Sequence, residues 1–294
     1  MRAIDVHCHT MTKEFFESSS RYAESLAHLL KREYKAKTEA EMADDFRRDD
    51  VMAMIIGWDN ESAAADGKIS NDWVASLTAK FPDVFLPGWA VIDPWKGVAA
   101  VRELERSITK LGLTGAKFMP LAQAFECNDR RFYPIWDLCQ SLGAPVLIHM
   151  GTTGLGFGAP GGLGIKLKYG RPIPYLDDIA ADFPRLKIVA AHPAWPWTEE
   201  LIAVLVHKSN VHMEISGWRP KYLPESLRRE IGGRLQDKIM FGSDYPGWNP
   251  GQCLDELEQM NFKPGVIEKL FFHNASRILG FEERLKKLGK TFAL

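Results

Sequence analysis

Apolar residues gather in short runs along this chain, and longer amphipathic or charged stretches separate them. The runs are Ala3–His9, Val51–Gly57, Phe85–Ile92, Gly115–Met119, Pro145–Met150, Lys187–His192, Val211–Ser216 and Lys238–Asp244. Runs this short, with little strict alternation, read as strands buried on both faces in a parallel sheet. Helical patterns fall between them at Val98–Leu111, Tyr133–Leu142, Tyr175–Phe183 and Thr198–His207, and a last one covers Val266–Leu279. Phe81-Pro82-Asp83 and Phe183-Pro184-Arg185 each stop a helix just before a strand. A strand–helix rhythm repeated eight times predicts an α/β fold, a (β/α)8 TIM barrel, as a single domain over residues 1–294.

Two connections exceed what a barrel needs. Residues Thr10 to Asp50 are charged and mostly helical in pattern, which predicts a helical insertion after strand one. Residues Thr152 to Pro174 follow strand five and are rich in glycine. They are expected to form a lid over the C-terminal mouth, where long loops are commonly functional. No phosphate-cradle spacing is present there.

The strand ends carry the chemistry. His7 and His9 are two residues apart on strand one, so an extended backbone points both the same way as a two-pronged chelate. His149, His192 and Asp244 end strands five, six and eight. In a barrel these ends converge on one face, and imidazole plus carboxylate suits a catalytic metal. Alternation places Asp5 with His7 and His9 on one face of strand one, and Met240, Gly242 and Asp244 on one face of strand eight. Cys8 then points outward. His28, His207, His212 and His273 have helical or wrong-end positions and receive no role.

Composition removes some classes of function. The net charge of −1 gives no basic surface for nucleic acid or an anionic membrane. The clearest apolar run, Val51 to Trp58, is too short to span a bilayer. Cys8, Cys127, Cys139 and Cys253 fit no zinc or redox spacing, which favours a reducing, cytoplasmic setting. A homodimer is compatible with the fold, although no residue demands one.

With these motifs in hand, the chain resembles the amidohydrolase superfamily. More narrowly it resembles the amidohydrolase-related (amidohydrolase 2) family, which includes aminocarboxymuconate-semialdehyde decarboxylase. The resemblance rests on Asp5-Val6-His7-Cys8-His9, Leu147-Ile148-His149, Ala191-His192-Pro193 and Phe241-Gly242-Ser243-Asp244-Tyr245-Pro246, with Asn274 to Gly280 near the end. It implies one divalent metal on His7, His9, His149 and Asp244, with His192 beside it as acid/base and Asp244 also touching metal-bound water. Zinc is the first expectation, with manganese or iron as alternatives. Lys117, near the end of strand four, is read as a substrate-binding cation; a carboxylated lysine bridging two metals, and a metal-free site, are variants that the resemblance leaves open.

The main functional expectation is a metal-dependent hydrolase whose activated water attacks a carbonyl carbon: an ester, lactone, amide, β-dicarbonyl or thioester of a small carboxylated or aromatic compound. The alternative is a nonoxidative decarboxylase of the same family, which the same ligands would serve. A non-catalytic metal-binding barrel is disfavoured, because a structural site needs neither His192 nor Asp244 as acid/base. Lys117, Trp89, Trp195, Trp218, Arg219 and Tyr245 are the candidate substrate contacts, since aromatic side chains around one mouth suit a flat substrate.

Overall fold

All eight apolar runs are strands in the computed structural model, which describes residues 1–64, 67–263 and 265–293. They are β1 (Ala3–Cys8), β2 (Val51–Ile56), β3 (Phe85–Val91), β4 (Gly115–Phe118), β5 (Val146–His149), β6 (Ile188–Ala191), β7 (Val211–Glu214) and β8 (Ile239–Met240). They pair in parallel in chain order. The ring closes between β8 and β1: Val6 N–H donates to Phe241 O (3.2 Å), Asp244 N–H to His7 O (2.9 Å) and His9 N–H to Tyr245 O (2.7 Å). The fold is a (β/α)8 barrel.

Side chains divide into two apolar layers. Ile4, Val6, Met54, Leu86, Leu147, Val189 and Met240 fill the inside, which Phe272, Ile278 and Leu279 from the C-terminal helical segment underlie. Ala53, Ile55, Phe118, Ile148, Met213 and Phe241 face the surrounding helices. Burying each larger side chain contributes about 1.5–3 kcal/mol. The insertion after β1 forms α1 (Lys13–Ser18), α2 (Ser20–Leu30) and α3 (Glu39–Arg48), the last opened by a reciprocal Thr38–Glu41 cap. The helix expected over Tyr175–Phe183 is regular only over Asp177–Asp182, since Pro172 and Pro174 disturb the turn before it. A two-stranded ribbon, Trp58–Asp59 against Lys68–Ile69, was not expected.

The alternation expected for β1 fails at its functional end. Ile4 and Val6 lie inside and Ala3 and Cys8 outside, and the pairing with β2 slips by one residue between Asp5 and Cys8. This bulge turns His7 and His9 toward the mouth and leaves Asp5 off their face. The Asp5 carboxylate instead accepts hydrogen bonds from Ser243 N–H (3.0 Å) and His7 N–H (3.2 Å), tying β1 to the residues after β8. A second slip in β3, between Leu86 and Trp89, occurs where Gly88 passes the Ile55 carbonyl with no room for a Cβ.

Away from the mouth, His212 on β7 makes acid sensitivity testable. Burial, then Lys238, Arg277 and Lys187, lower its pKa from 6.5 to about 4. The unfolded chain therefore binds this proton first, and the stability is lost as pH falls from 6.5 towards 4. His212→Gln should shrink the difference in unfolding free energy between pH 7 and pH 5 by about 2 kcal/mol. Denaturant titrations at the two pH values check this; an undiminished difference rules His212 out as the sensor.

Candidate functional site

Three ligand atoms meet where β1 and β8 close the ring. His7 Nε2 stands 3.4 Å and His9 Nε2 3.5 Å from Asp244 Oδ1. Ligands about 2.1 Å from a common ion at tetrahedral angles stand about 3.4 Å apart, so the spacing fits a divalent metal. Asp244 Oδ1 is buried and has no hydrogen-bond partner, as expected for an oxygen kept for an ion. Burial pushes the Asp244 carboxyl up to about 7 despite the opposing Lys117. Burial likewise pushes His9 down to about 3 and His7 well below its ordinary range, so both rings are neutral and able to ligate.

Behind these ligands lies a polar network that the sequence reading missed. His7 Nδ1 is 2.7 Å from Glu214 Oε1, and the Glu214 carboxylate also accepts from Ser216 N–H (2.6 Å) and Ser216 Oγ–H (3.0 Å). The Ser216 hydroxyl is also 3.1 Å from His7 Nδ1 and 2.9 Å from His192 Nδ1. His7, His192 and Glu214 thus form a second group close enough to hold an ion. Its carboxylate oxygens are already hydrogen-bonded, however, which makes Glu214 an orienting partner for His7 rather than an open ligand. Burial raises Glu214 to about 7, against the hydrogen bonds from Ser216.

His149 stands next to this group without joining it. Its Nε2 faces the Thr152 carbonyl at 2.8 Å, and its Nδ1 is 3.1 Å from His192 Nε2. The other His192 nitrogen, Nδ1, is 3.0 Å from the Ser216 carbonyl. Burial and then His149 and Lys117 push His192 well below its ordinary pKa.

All these groups except His7, Glu214 and Ser216 line one cavity of about 770 Å³ at the C-terminal mouth. Lys117 lines it too; its Nζ is buried without a partner, and burial lowers it to about 8. Trp195, Trp218 and Arg219 are on the wall, Arg219 already paired with Glu256. Two expected substrate contacts are elsewhere. Trp89 is inside the barrel, its indole N–H donating to Val6 O at 2.8 Å. The bulge in β3 sets it there, below the mouth. Tyr245 turns outward to α3: its hydroxyl donates to Asp45 Oδ2 at 2.7 Å and its ring lies 4.9 Å from that of Phe46. The glycine-rich segment supplies Leu155, Phe157, Ile165 and Leu167 to the wall, while its Lys168 and Arg171 pair with Glu126 and Glu200.

The backbone at the site is unusual. His192 (φ 73°) and Asp244 (φ 63°) occupy the left-handed region, which costs a non-glycine residue about 1–3 kcal/mol and recurs at functional sites. Gly242 is required by crowding: a Cβ there would be 2.5 Å from Glu214 Oε2 and 3.1 Å from His7 Cβ.

Comparison with known proteins gives consistent relatives. The amidohydrolase family model matches residues 4–281. The chain is 23% identical over 276 residues to 2-amino-3-carboxymuconate-6-semialdehyde decarboxylase of Dictyostelium discoideum, covering 81% of this chain and 75% of the relative. It is 23% identical over 264 residues to gamma-resorcylate decarboxylase of Polaromonas sp. (strain JS666), covering 75% and 78%. The solved dihydroxybenzoic acid decarboxylase of Polaromonas sp. JS666, with bound manganese and 2-nitroresorcinol, superimposes with a TM-score of 0.66 at 19% identity, covering 96% of this chain and 97% of that one. These relatives overturn the hydrolase expectation. The proteins similar to this chain over most of its length are decarboxylases, and the ligand set from which hydrolysis was argued serves both reactions.

Proposed function

The chain belongs to the amidohydrolase family, and from that premise we propose that it is a metal-dependent nonoxidative decarboxylase of a carboxylated aromatic compound. The observation that carries the proposal is the unpartnered Asp244 Oδ1 between two histidine Nε2 atoms, in a cavity shared with an unpartnered lysine. The names of the relatives, both decarboxylases, support this reaction class.

His7, His9 and Asp244 would hold the ion; His149 would join them by giving up its hydrogen bond to Thr152. A divalent ion held there would supply positive charge that helps to bind and orient an anionic substrate. Manganese is the first ion to test, ahead of zinc, given the manganese in the Polaromonas structure. The reaction consumes one proton: it bonds to the ring carbon bearing the carboxylate, the carbon–carboxyl bond breaks, carbon dioxide leaves, and that electron pair restores the ring. Asp244 lines the cavity beside Lys117 and is the group assigned to carry this proton. His192, neutral and held at Nδ1 by Ser216, orients the substrate. Lys117 receives an anionic oxygen of the substrate.

The test is release of carbon dioxide and the matching phenol from a panel of hydroxylated aromatic acids, with the manganese-loaded protein. Stoichiometric release supports the reading; no release from any member of a broad panel overturns it. A charge-assisted hydrogen bond contributes about 1.5–3 kcal/mol, so Lys117→Met should raise KM by roughly tenfold or more. An unchanged KM and kcat would remove Lys117 from substrate binding.

A further inference from the structure

We infer that the substrate is an aromatic acid carrying a bulky apolar substituent, an alkyl chain or a second ring, which fills the cavity between the metal-ligating face and the mouth. The inference rests on the decarboxylase reading only for the identity of the polar head. A site of about 150 Å³ accommodates a benzene ring. The cavity here is about 770 Å³, so a single ring at Lys117 and Asp244 leaves about four-fifths of it unfilled.

The chemistry of the remaining space is apolar. Leu29 and Leu30 of α2, Leu155, Phe157 and Leu167 of the glycine-rich segment, and Trp248 after β8 form its wall. Arg219 is the one charged residue on the wall, among the described residues, outside the group around Lys117 and Asp244, and Glu256 neutralises it. No second carboxylate or phosphate therefore finds an unpaired cation there. The wall also holds together as a unit. Gly156 N–H donates to Ser25 Oγ of α2 at 3.1 Å, Gly154 packs against Leu29, and Gly247 lies beside Leu26 and Leu30. The insertion helix thus bridges the glycine-rich segment and the loop after β8. At the opening, Phe157 and Trp195 are each 51% exposed and Tyr222 is 62% exposed. An apolar substituent running outward from the metal end would cover side chains that water now meets, and this continuity from buried charge to exposed aromatic rim distinguishes a long ligand from a compact one.

Binding of unreactive, product-like phenols tests this without any chemistry. Affinities of resorcinol and 4-hexylresorcinol for the manganese-loaded protein are compared by calorimetry. Each buried methylene is expected to tighten binding about fourfold, so the hexyl compound should bind at least 100-fold tighter. Phe157→Ala and Leu167→Asp, both at exposed positions, should each narrow that difference, and resorcinol binding controls for folding. A gain of only a few-fold, or a full gain retained in both variants, overturns the inference. The two readings fail separately. A steep chain-length dependence without carbon dioxide from any acid strikes only the reaction. Carbon dioxide from single-ring acids with no chain-length dependence strikes only the inference.

Discussion

Asp244→Asn is expected to lower kcat/KM by at least about 10³-fold while the barrel still folds. Asparagine keeps the shape but loses the charge, so the oxygen that faces His7 Nε2 and His9 Nε2 at 3.4 and 3.5 Å becomes a neutral amide atom. It also cannot take up and release the proton assigned to the carboxyl group. Loss of a positioned acid alone is worth 10²–10⁴-fold, and weaker metal binding adds to it. Rates at saturating manganese, with metal content measured on the same sample, separate the two contributions. Activity within tenfold of the parent under those conditions would show that Asp244 neither holds the ion nor moves the proton. A thermal melt close to that of the parent establishes that the loss is chemical.

Glu214→Gln gives the second large effect, and it reaches the site through His7. The carboxylate sits 2.7 Å from His7 Nδ1, which fixes the ring with Nε2 toward Asp244 and makes it a better donor to a cation. Replacing the charge with an amide should weaken metal affinity by 10–100-fold. The readout is a chelator-buffered metal titration: the midpoint shifts to higher metal, and activity recovers when the ion is in excess. A structural role alone would lower stability without moving that midpoint, and that result would remove Glu214 from the account of the site.

The barrel was legible because buried parallel strands leave a plain trace, a short apolar run, and all eight became strands within a few residues of their expected limits. The residues gathered at the mouth were legible for a related reason, since a polar side chain ending such a run has the barrel mouth as its nearest water. Glu214 and Ser216 carried the same signal: they alternate with Val211, Met213 and Ile215 in an apolar run, a placement that asks for a partner. The bulges were not legible, because a one-residue slip is decided by pairing with a neighbouring strand and not by local preference. That is why Asp5 was placed on the wrong face and Trp89 at the wrong depth. Tyr245 was misjudged for a similar reason: its partner Asp45 lies on the insertion, distant in sequence.

The seam between β1 and β8 has a consequence for how the protein is made. His7 and His9 are synthesised long before Asp244, and the Asp244 N–H to His7 carbonyl bond that joins their backbones is also one that closes the ring. A nascent chain that lacks β8 could therefore not use such an ion as a template. The three-ligand face comes into being only once β8 has been made and the residues after it have paired with β1. An ion held by these residues would bind the closed barrel and not its precursors, and would stabilise it by mass action. Metal supply would thus set how long the folded protein lasts in the cell, while leaving the early steps of its folding untouched.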